Sequence, residues 1–392
     1  MSRHRILFVD DDSLVQEFYQ FLGSFLGQDY EIFSAQGGEE ALNILAQNPM
    51  DIVVSDLAMP GMSGQEFMIR VLRTFPESIR FIVSGHADQL TVAQSLMFAH
   101  RYFHKPFGLK PFCDALKRIC RLKHLVGDPK IKRVVCGLGA LPTPPETYFR
   151  LGEVLNSPKS SIEQIAEIVM EDPALSVKVL QIVNSAEFGM ARRITTPAEA
   201  VQILGIEILR ALMLSIQAFK FYEAKSSLSL SVKQLWSHSL KTAVTAKRLA
   251  RLENCSPEES EEAFVSGLLH DIGKLVLAAN APAEYQIVID RCRTEGVTAI
   301  QMEQEVFGAT HAQVGAYLLG LWGLPDSIVE AVESHHSLRE ASERRFSLPV
   351  AVHVAQCLES SSDRVAELDL DYLQQIGLED RIDQWQRALV AG

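Results

Sequence analysis

The chain has 392 residues, 47% of them hydrophobic and 22% charged, with a formal net charge of −12. These are values of an ordinary globular protein long enough for two or three domains; the acidic balance argues against a broad basic surface for nucleic acid, and no apolar run approaches the roughly 18 residues of a membrane span. Six cysteines without a Cys-x-x-Cys pair argue against a disulfide framework and for a reducing cytosol, and the amino terminus enters a strand at Ile6 without a signal-peptide profile, so a cytoplasmic location is expected.

Four short hydrophobic segments punctuate the first 110 residues, and each ends in a polar group. Ile6-Leu7-Phe8-Val9 runs into Asp10-Asp11-Asp12. Asp51-Ile52-Val53-Val54-Ser55 runs into Asp56, followed by Leu57-Ala58-Met59-Pro60-Gly61. Phe81-Ile82-Val83 ends in Ser84-Gly85, and Tyr102-Phe103-His104 in Lys105-Pro106. Segments this short and this apolar predict parallel strands whose carboxyl ends share one crevice, the place where open α/β sheets bind ligands. Carboxylates from Asp10, Asp11 and Asp56 in one crevice repel unless a hard cation joins them, and oxygen donors suit Mg²⁺. Such an ion neutralises an incoming phosphoryl group, and aspartate is a nucleophile for phosphoryl transfer. Lys105 is suited to pair with a phosphate oxygen and the Ser84 hydroxyl to donate to another.

Residues 1–122 resemble the receiver domain of two-component response regulators. The resemblance implies a flavodoxin-like, doubly wound α/β fold on a parallel five-stranded sheet, with Asp56 as phosphoacceptor and a sensor histidine kinase as phosphodonor. It implies Mg²⁺ held by Asp10, Asp11, Asp56 and the Ala58 backbone carbonyl, Ser84 and Tyr102 as a switch pair, and Lys105 as the phosphate partner. Pro106 follows the lysine as is usual in the family, often through a cis peptide bond. The plainer alternative makes Asp10 to Asp12 a strand-end turn and Asp56 a helix cap.

Beyond Pro111, Phe112, Leu116, Ile119 and Leu122 have helical spacing in a helix predicted over 112–125. Gly127-Asp128-Pro129 is a breaker, Lys130-Ile131-Lys132-Arg133 a solvated basic linker, and 123–134 a connector. From Leu141-Pro142-Thr143-Pro144-Pro145 onward the pattern is nearly all helical, and Ser160-Ser161-Ile162-Glu163 has the form of a capping box. Five of the chain's eleven histidines then form a set: His238 in a helix, His270 with Asp271 on a helix, His311, and His335-His336 at a helix end. Imidazoles with a carboxylate suit Fe, Mn, Zn or Ni, and such an ion can activate water for phosphoester hydrolysis. Buried histidines held only by hydrogen bonds are the competing reading, and His335-His336 can equally cap a helix carboxyl end.

Residues 135–392 resemble the HDOD domain of the HD superfamily, an all-α fold, with a core of about 141–340 and a helical extension after it. The resemblance rests on Asp172-Pro173-Ala174-Leu175, Val183-Asn184-Ser185-Ala186-Glu187-Phe188-Gly189, Ala200-Val201-Gln202-Ile203-Leu204-Gly205, His270 to Lys274, and Leu321-Trp322-Gly323-Leu324-Pro325. It implies a regulatory module that binds a protein partner, and metal-dependent phosphohydrolase activity as the alternative. Two departures weigh against catalysis. No Gly-Tyr-Pro follows His335-His336, and Gln356 stands where the superfamily's closing aspartate is expected, with His353 one turn away as a substitute ligand. No helix-turn-helix with a basic recognition helix follows residue 130, so DNA binding is not expected; self-association stays open. Phosphorylation is expected to move the face bearing Tyr102, Lys105 and the helix after Pro111 and so to alter docking on the second domain.

Overall fold

A computed structural model describes residues 3–85, 99–122, 154, 161–170, 179, 183, 194, 197–205, 232–321, 324–341, 345–359 and 368–390. The connector 123–134, the basic linker, the Leu141–Pro145 stretch and the Asp172–Leu175 motif lie outside the described residues, as do Asn184 to Gly189 and Trp322-Gly323. By contacts the chain divides into two compact units, one built on Met1–Thr143 and the other on most of the chain from Pro144 onward.

The first unit is an α/β layer structure. Its strands are β1 (His4–Val9), β2 (Tyr30–Ala35), β3 (Ile52–Ser55), β4 (Ile79–Ser84) and β5 (Arg101–His104). They form a five-stranded sheet in the order β2-β1-β3-β4-β5, parallel at every pairing. The helices are α1 (Ser13–Leu26), α2 (Gly38–Gln47), α3 (Gly64–Thr74) and α4 (Leu109–Leu122). Helices on both faces explain why β1 is apolar at consecutive positions. Leu7 clusters with Ala41, Leu45, Phe67 and Val71 on one side, while Phe8 stacks on Tyr19 of α1 at 4.2 Å and meets Phe112 of α4 at 6.4 Å on the other. The edge strand β2 is mostly half-buried, and no polar strand-end motif marks it in the sequence. Helix α4 starts at Leu109, so Pro111 sits inside its first turn, where a missing N–H costs nothing; Phe112, Leu116 and Ile119 are fully buried.

The second unit is helical throughout its described residues. Short helices α5 (Ile162–Met170) and α6 (Pro197–Leu204) precede α7 (Val232–Leu252), α8 (Pro257–Leu269), α9 (Ile272–Asn280), α10 (Pro282–Glu295), α11 (Ala299–Phe307) and α12 (His311–Leu321). Then come α13 (Asp326–Ser334), α14 (Leu348–Glu359), α15 (Leu370–Gln375) and α16 (Ile382–Val390). The capping box of α5 is one residue later than the sequence suggests: Ser161 and Gln164 exchange side-chain-to-backbone bonds at 3.3 and 3.1 Å. A second box, Ser256 with Glu259, opens α8, and Pro257 fills its first turn.

The core of this unit joins Ala246, Leu249 and Ala250 of α7 to Val350, Ala351 and Val354 of α14 and to Trp385 of α16. Trp385 is fully buried, and its indole N–H donates to Glu253 Oε1 at 2.7 Å, the oxygen that also takes Arg381. That pairing satisfies the one polar atom of a large buried ring. Among the described residues no helix is long and apolar enough to cross a membrane.

Candidate functional sites

In the first unit the carboxyl ends of β1, β3, β4 and β5 come together because the parallel ladder continues past each strand. Asp10 N–H donates to Ala35 O, Asp56 N–H to Val9 O at 3.0 Å, and Lys105 N–H to Ser84 O at 2.9 Å. These bonds carry Asp10, Asp56 and Lys105 to one level. There Lys105 Nζ bridges two carboxylates, 2.8 Å from Asp10 Oδ2 and 2.6 Å from Asp56 Oδ2. The peptide between Lys105 and Pro106 is cis, as the resemblance implies.

The remaining carboxylate oxygens are held by backbone. Asp10 Oδ1 accepts from Asp12 N–H at 3.1 Å, and Asp56 Oδ1 accepts from Ala58 N–H at 3.2 Å. Asp12, not Asp56, is a helix cap: its side chain takes Leu14 N–H at the start of α1, while Ser63 caps α3. The cap alternative therefore fails for the residue on which the site turns. Gly64 opens α3 so close to Asp56 that a Cβ there would lie 1.8 Å from the Asp56 carbonyl, which is why the chain needs glycine at that point.

The crevice is one positive charge short. Burial raises the pKa of Asp10, the hydrogen bond and charge of Lys105 oppose this, and the Asp56 charge adds to the rise. Burial works against the Lys105 ammonium, yet its hydrogen bonds to Asp10 and Asp56 outweigh that and raise its pKa. Tyr19 behind β1 is raised by burial first and then by the charges of Asp10 and Asp56. Two carboxylates against one ammonium, with Asp11 exposed beside them, fit a hard divalent cation with oxygen ligands. Ser84 ends β4, buried. Tyr102 lies in β5 in register with Ile82, and its side chain is outside the described residues.

In the second unit a cluster of imidazoles surrounds Asp271. His270 and Asp271 are not within a helix, as the sequence suggests, but at the junction where α8 ends and α9 begins. The break turns both side chains inward, and both are buried. Gly273 follows because a Cβ there would lie 1.9 Å from the His311 carbonyl, so α9 and the start of α12 touch backbone to backbone. His311 is the first residue of α12, His335 follows the end of α13, and His238 lies on α7.

Asp271 Oδ1 lies 3.2 Å from His311 Nε2 and 3.8 Å from His335 Nε2; Asp271 Oδ2 lies 3.4 Å from His270 Nε2 and 2.7 Å from Lys274 Nζ. The ring of His238 stands 5.2 Å from that of His270. Ligand-capable atoms fall into two groups sharing Asp271: His238, His270 and Asp271, and Asp271, His311, His335 and His336. The predicted set is thus brought together in full. Lys274 is the counter-ion of Asp271.

Tautomers decide what these rings can do. His270 Nδ1 donates to Gly267 O at 2.7 Å and His335 Nδ1 to Val332 O at 2.5 Å. Each therefore turns an Nε2 lone pair inward, the outer-shell arrangement that orients metal-ligating histidines. Burial lowers the His270 pKa to about 4 and that of His335 well below its ordinary value, so both are neutral. His335 does bond a carbonyl of the last helical turn, but as a neutral ring and not as a capping cation. Burial would push the Asp271 pKa up, but the adjacent His270, the Lys274 ammonium and the contact with His311 hold it well below the carboxylate range. Among the described residues, His270 Nε2 and Asp271 Oδ1 are buried without a hydrogen bond, a costly state for polar atoms and one that a cation between them relieves.

The fit is incomplete at the other end. His353 is not a substitute ligand: its Nδ1 bonds His335 O at 2.9 Å and its Nε2 accepts Asp369 N–H at 3.0 Å. Gln356 is buried and donates to His335 O at 3.0 Å. A residue no motif marks is Glu303 of α11, fully buried, whose Oε2 takes both the His311 N–H at 2.8 Å and His311 Nδ1 at 2.7 Å. Burial works against a charged His311, but Glu303 and the contact with Asp271 outweigh it and raise the His311 pKa. In sequence Glu303 is one glutamate among several on a helix, and only its burial distinguishes it.

Comparison with known proteins agrees with this division. The family model described as response regulator receiver domain matches residues 6–117, and that of the HDOD domain matches 141–338. The sporulation initiation phosphotransferase F of Bacillus subtilis (strain 168) is 32% identical over 126 residues, 31% of this chain and 98% of that protein. An uncharacterised protein of Treponema pallidum (strain Nichols) is 27% identical over 204 residues, 52% of this chain but only 39% of that protein. The crystal structure of an HDOD domain protein from Geobacter sulfurreducens superposes with a TM-score of 0.52 at 23% identity, over 70% of this chain and 98% of that one, a likeness of fold. The chain belongs to the HDOD family, with a response-regulator receiver domain ahead of its HDOD domain.

Proposed function

We propose that the protein is a phosphorylation-dependent response regulator in which Asp56 takes a phosphoryl group from a sensor histidine kinase. Phosphorylation then sets the state of the HDOD domain, whose output is the binding of a protein partner. The observation that carries the reading is the Lys105 ammonium held between the Asp10 and Asp56 carboxylates at the strand ends. An Asp56 carboxylate oxygen forms the new P–O bond as the P–N bond to the donor histidine breaks. Lys105 is free to move from its carboxylates to the phosphoryl oxygens as charge gathers there. Asp10, Asp11, Asp56 and the Ala58 carbonyl would hold Mg²⁺, which when bound supplies charge neutralisation. Ser84 donates to a phosphoryl oxygen, and Tyr102 follows it, coupling the site to the rest of the chain.

Incubation with acetyl phosphate and Mg²⁺ tests the phosphoacceptor. Intact-mass analysis should show one phosphate on wild type and none on Asp56→Asn; incorporation by the variant at the wild-type level would move the site elsewhere. For the switch, Tyr102→Ala should remove the difference between phosphorylated and unphosphorylated protein in partner binding, and an undiminished difference would sink that part.

The unbonded His270 Nε2 and Asp271 Oδ1 favour a second reading, a metal-dependent phosphohydrolase at His238, His270 and Asp271. Fe, Mn, Zn or Ni content of Asp56→Ala protein, with a phosphodiesterase assay on cyclic dinucleotides, separates the two. Stoichiometric metal with turnover would make the HDOD domain an enzyme; metal-free, inactive protein leaves it a binding module.

A further inference from the structure

Most large hydrophobic side chains of the receiver lie inside it, and helix α1 departs from that along one line. Leu14 is 72% exposed, Phe21 58% and Phe25 48%. The other large hydrophobics exposed among the described residues, Leu252, Ile287 and Leu370, stand singly on three different helices. Single exposed apolar residues are ordinary, whereas a contiguous set marks a contact surface. The α1 set is contiguous. Phe18, half-buried between Leu14 and Phe21, turns its ring edge-on to Phe107 at 6.2 Å. The rings of Phe21 and Phe25 meet edge-on at 5.1 Å. Tyr19, Leu22 and Leu26 are the residues that bury the helix against the receiver, so the stripe is not needed for that packing.

The order of the stripe carries information about its occupant. Leu14, Phe18, Phe21 and Phe25 are separated by four, three and four residues. That keeps them on one side of a helix and is the spacing of a coiled-coil seam. It is also the same read from either end. A second α1 laid antiparallel therefore sets Leu14 on Phe25 and Phe18 on Phe21, each twice, the reciprocity that a two-fold interface requires. Charge has the same symmetry. Glu17 is the single charged residue of α1, and with exposed Asp11 and Asp12 it makes the amino end of the stripe acidic. At the carboxyl end Lys117 of α4 donates to the Phe25 carbonyl at 3.0 Å, and exposed Arg121 follows one turn later. An antiparallel copy sets the acidic end of each stripe on the basic end of the other; a parallel copy would set like on like.

We infer that the exposed stripe of α1 is the contact of a receiver dimer, in which two copies of this chain pair their α1 helices antiparallel about a two-fold axis. A seam of one helix per copy buries less than the roughly 1,200 Å² of a stable complex, so the dimer is weak, with a dissociation constant on the order of 10 µM. The inference is independent of the Asp56 assignment and of what the HDOD domain binds.

Sedimentation velocity of the full-length protein from about 1 to about 200 µM tests it, and wild type should pass from monomer to dimer across that range. Phe21→Ser removes an anchor that the two-fold axis uses twice, and should weaken association at least about 10-fold. Glu17→Lys and Lys117→Glu should each weaken it about 3-fold, and the double variant, which exchanges the two ends, should return to within about 2-fold of wild type. Far-ultraviolet melts check that each variant is folded. Lys117 also holds the end of α1, so Glu17→Lys with Arg121→Glu repeats the exchange should Lys117→Glu fail to fold. Wild type that stays monomeric at the highest concentration would overturn the inference and leave the stripe to a different protein. A Phe21→Ser dimer of wild-type affinity would overturn it by placing the contact elsewhere. Charge variants without effect, or weakened singly and not restored together, would overturn the antiparallel pairing.

Discussion

The two candidate sites are both built on buried carboxylates, and they balance that charge differently. In the receiver, Asp10 and Asp56 share one lysine ammonium at the mouth of a crevice, and exposed Asp11 leaves the balance negative. In the HDOD domain, Asp271 has Lys274 on one oxygen and the buried rings of His311 and His335 beside the other. The first arrangement is short of positive charge and open, which suits an incoming cation and phosphoryl group. The second is buried, and what it accepts depends on which nitrogens carry protons. Charge sets the behaviour of one site and hydrogen-bond direction that of the other.

The largest test of this contrast uses one glycine from each unit. Gly64→Ala would drive a Cβ into the Asp56 carbonyl and Gly273→Ala into the His311 carbonyl. Each should cost about 3 kcal/mol, since backbone gives way poorly. All three tryptophans, Trp236, Trp322 and Trp385, follow residue 230. Urea unfolding followed by tryptophan fluorescence should therefore shift for Gly273→Ala and stay near wild type for Gly64→Ala. A shift of equal size for both would mean that the units do not unfold separately.

Acidification should separate the units by sign. The folded HDOD domain resists protonating His270 until about pH 4, while the unfolded chain takes that proton near 6.5. Stability is thus present above 6.5 and lost as pH falls toward 4, by on the order of 2–3 kcal/mol. His335 and His336 act in the same direction and His311 against them. Asp10 has the opposite sense: its pKa is raised from 3.8, so its contribution is present at low pH and declines as pH rises. Tryptophan-detected melts between pH 7 and 4 should show the HDOD transition moving down; a flat profile would mean that the imidazoles are not buried and neutral.

Lys105→Met should leave Asp10 and Asp56 repelling without their shared cation and cost the receiver about 1–3 kcal/mol. Because the loss is of charge balance, Mg²⁺ should restore more stability to the variant than it adds to wild type, read from the far-ultraviolet melt. Equal Mg²⁺ effects in both proteins would contradict that account. The smallest effect is expected at the end of the chain. Trp385→Phe keeps the buried ring but removes the N–H to Glu253, for about 1 kcal/mol, visible as a small drop in urea midpoint.

Much of the receiver site was legible because each contributor ends an apolar strand segment: Asp10, Asp56, Ser84 and Lys105 follow hydrophobic runs, and a parallel sheet aligns such ends. The edge strand β2 escaped because its half-exposed side chains carry no such signal. In the HDOD domain the sequence determined the residue types, His238, His270, Asp271, His311, His335 and His336, and their helical setting. It did not determine the break between α8 and α9 that turns His270 and Asp271 inward, nor the buried Glu303, nor that His353 is consumed by backbone partners. Those follow from contacts between segments far apart in the chain, as with Asp369 N–H on His353 and Gln356 on the residues ending α13. A sequence names the groups that can hold a proton or a cation. Which nitrogen holds the proton depends on the donor or acceptor that another helix places beside it, and only the tertiary structure decides that.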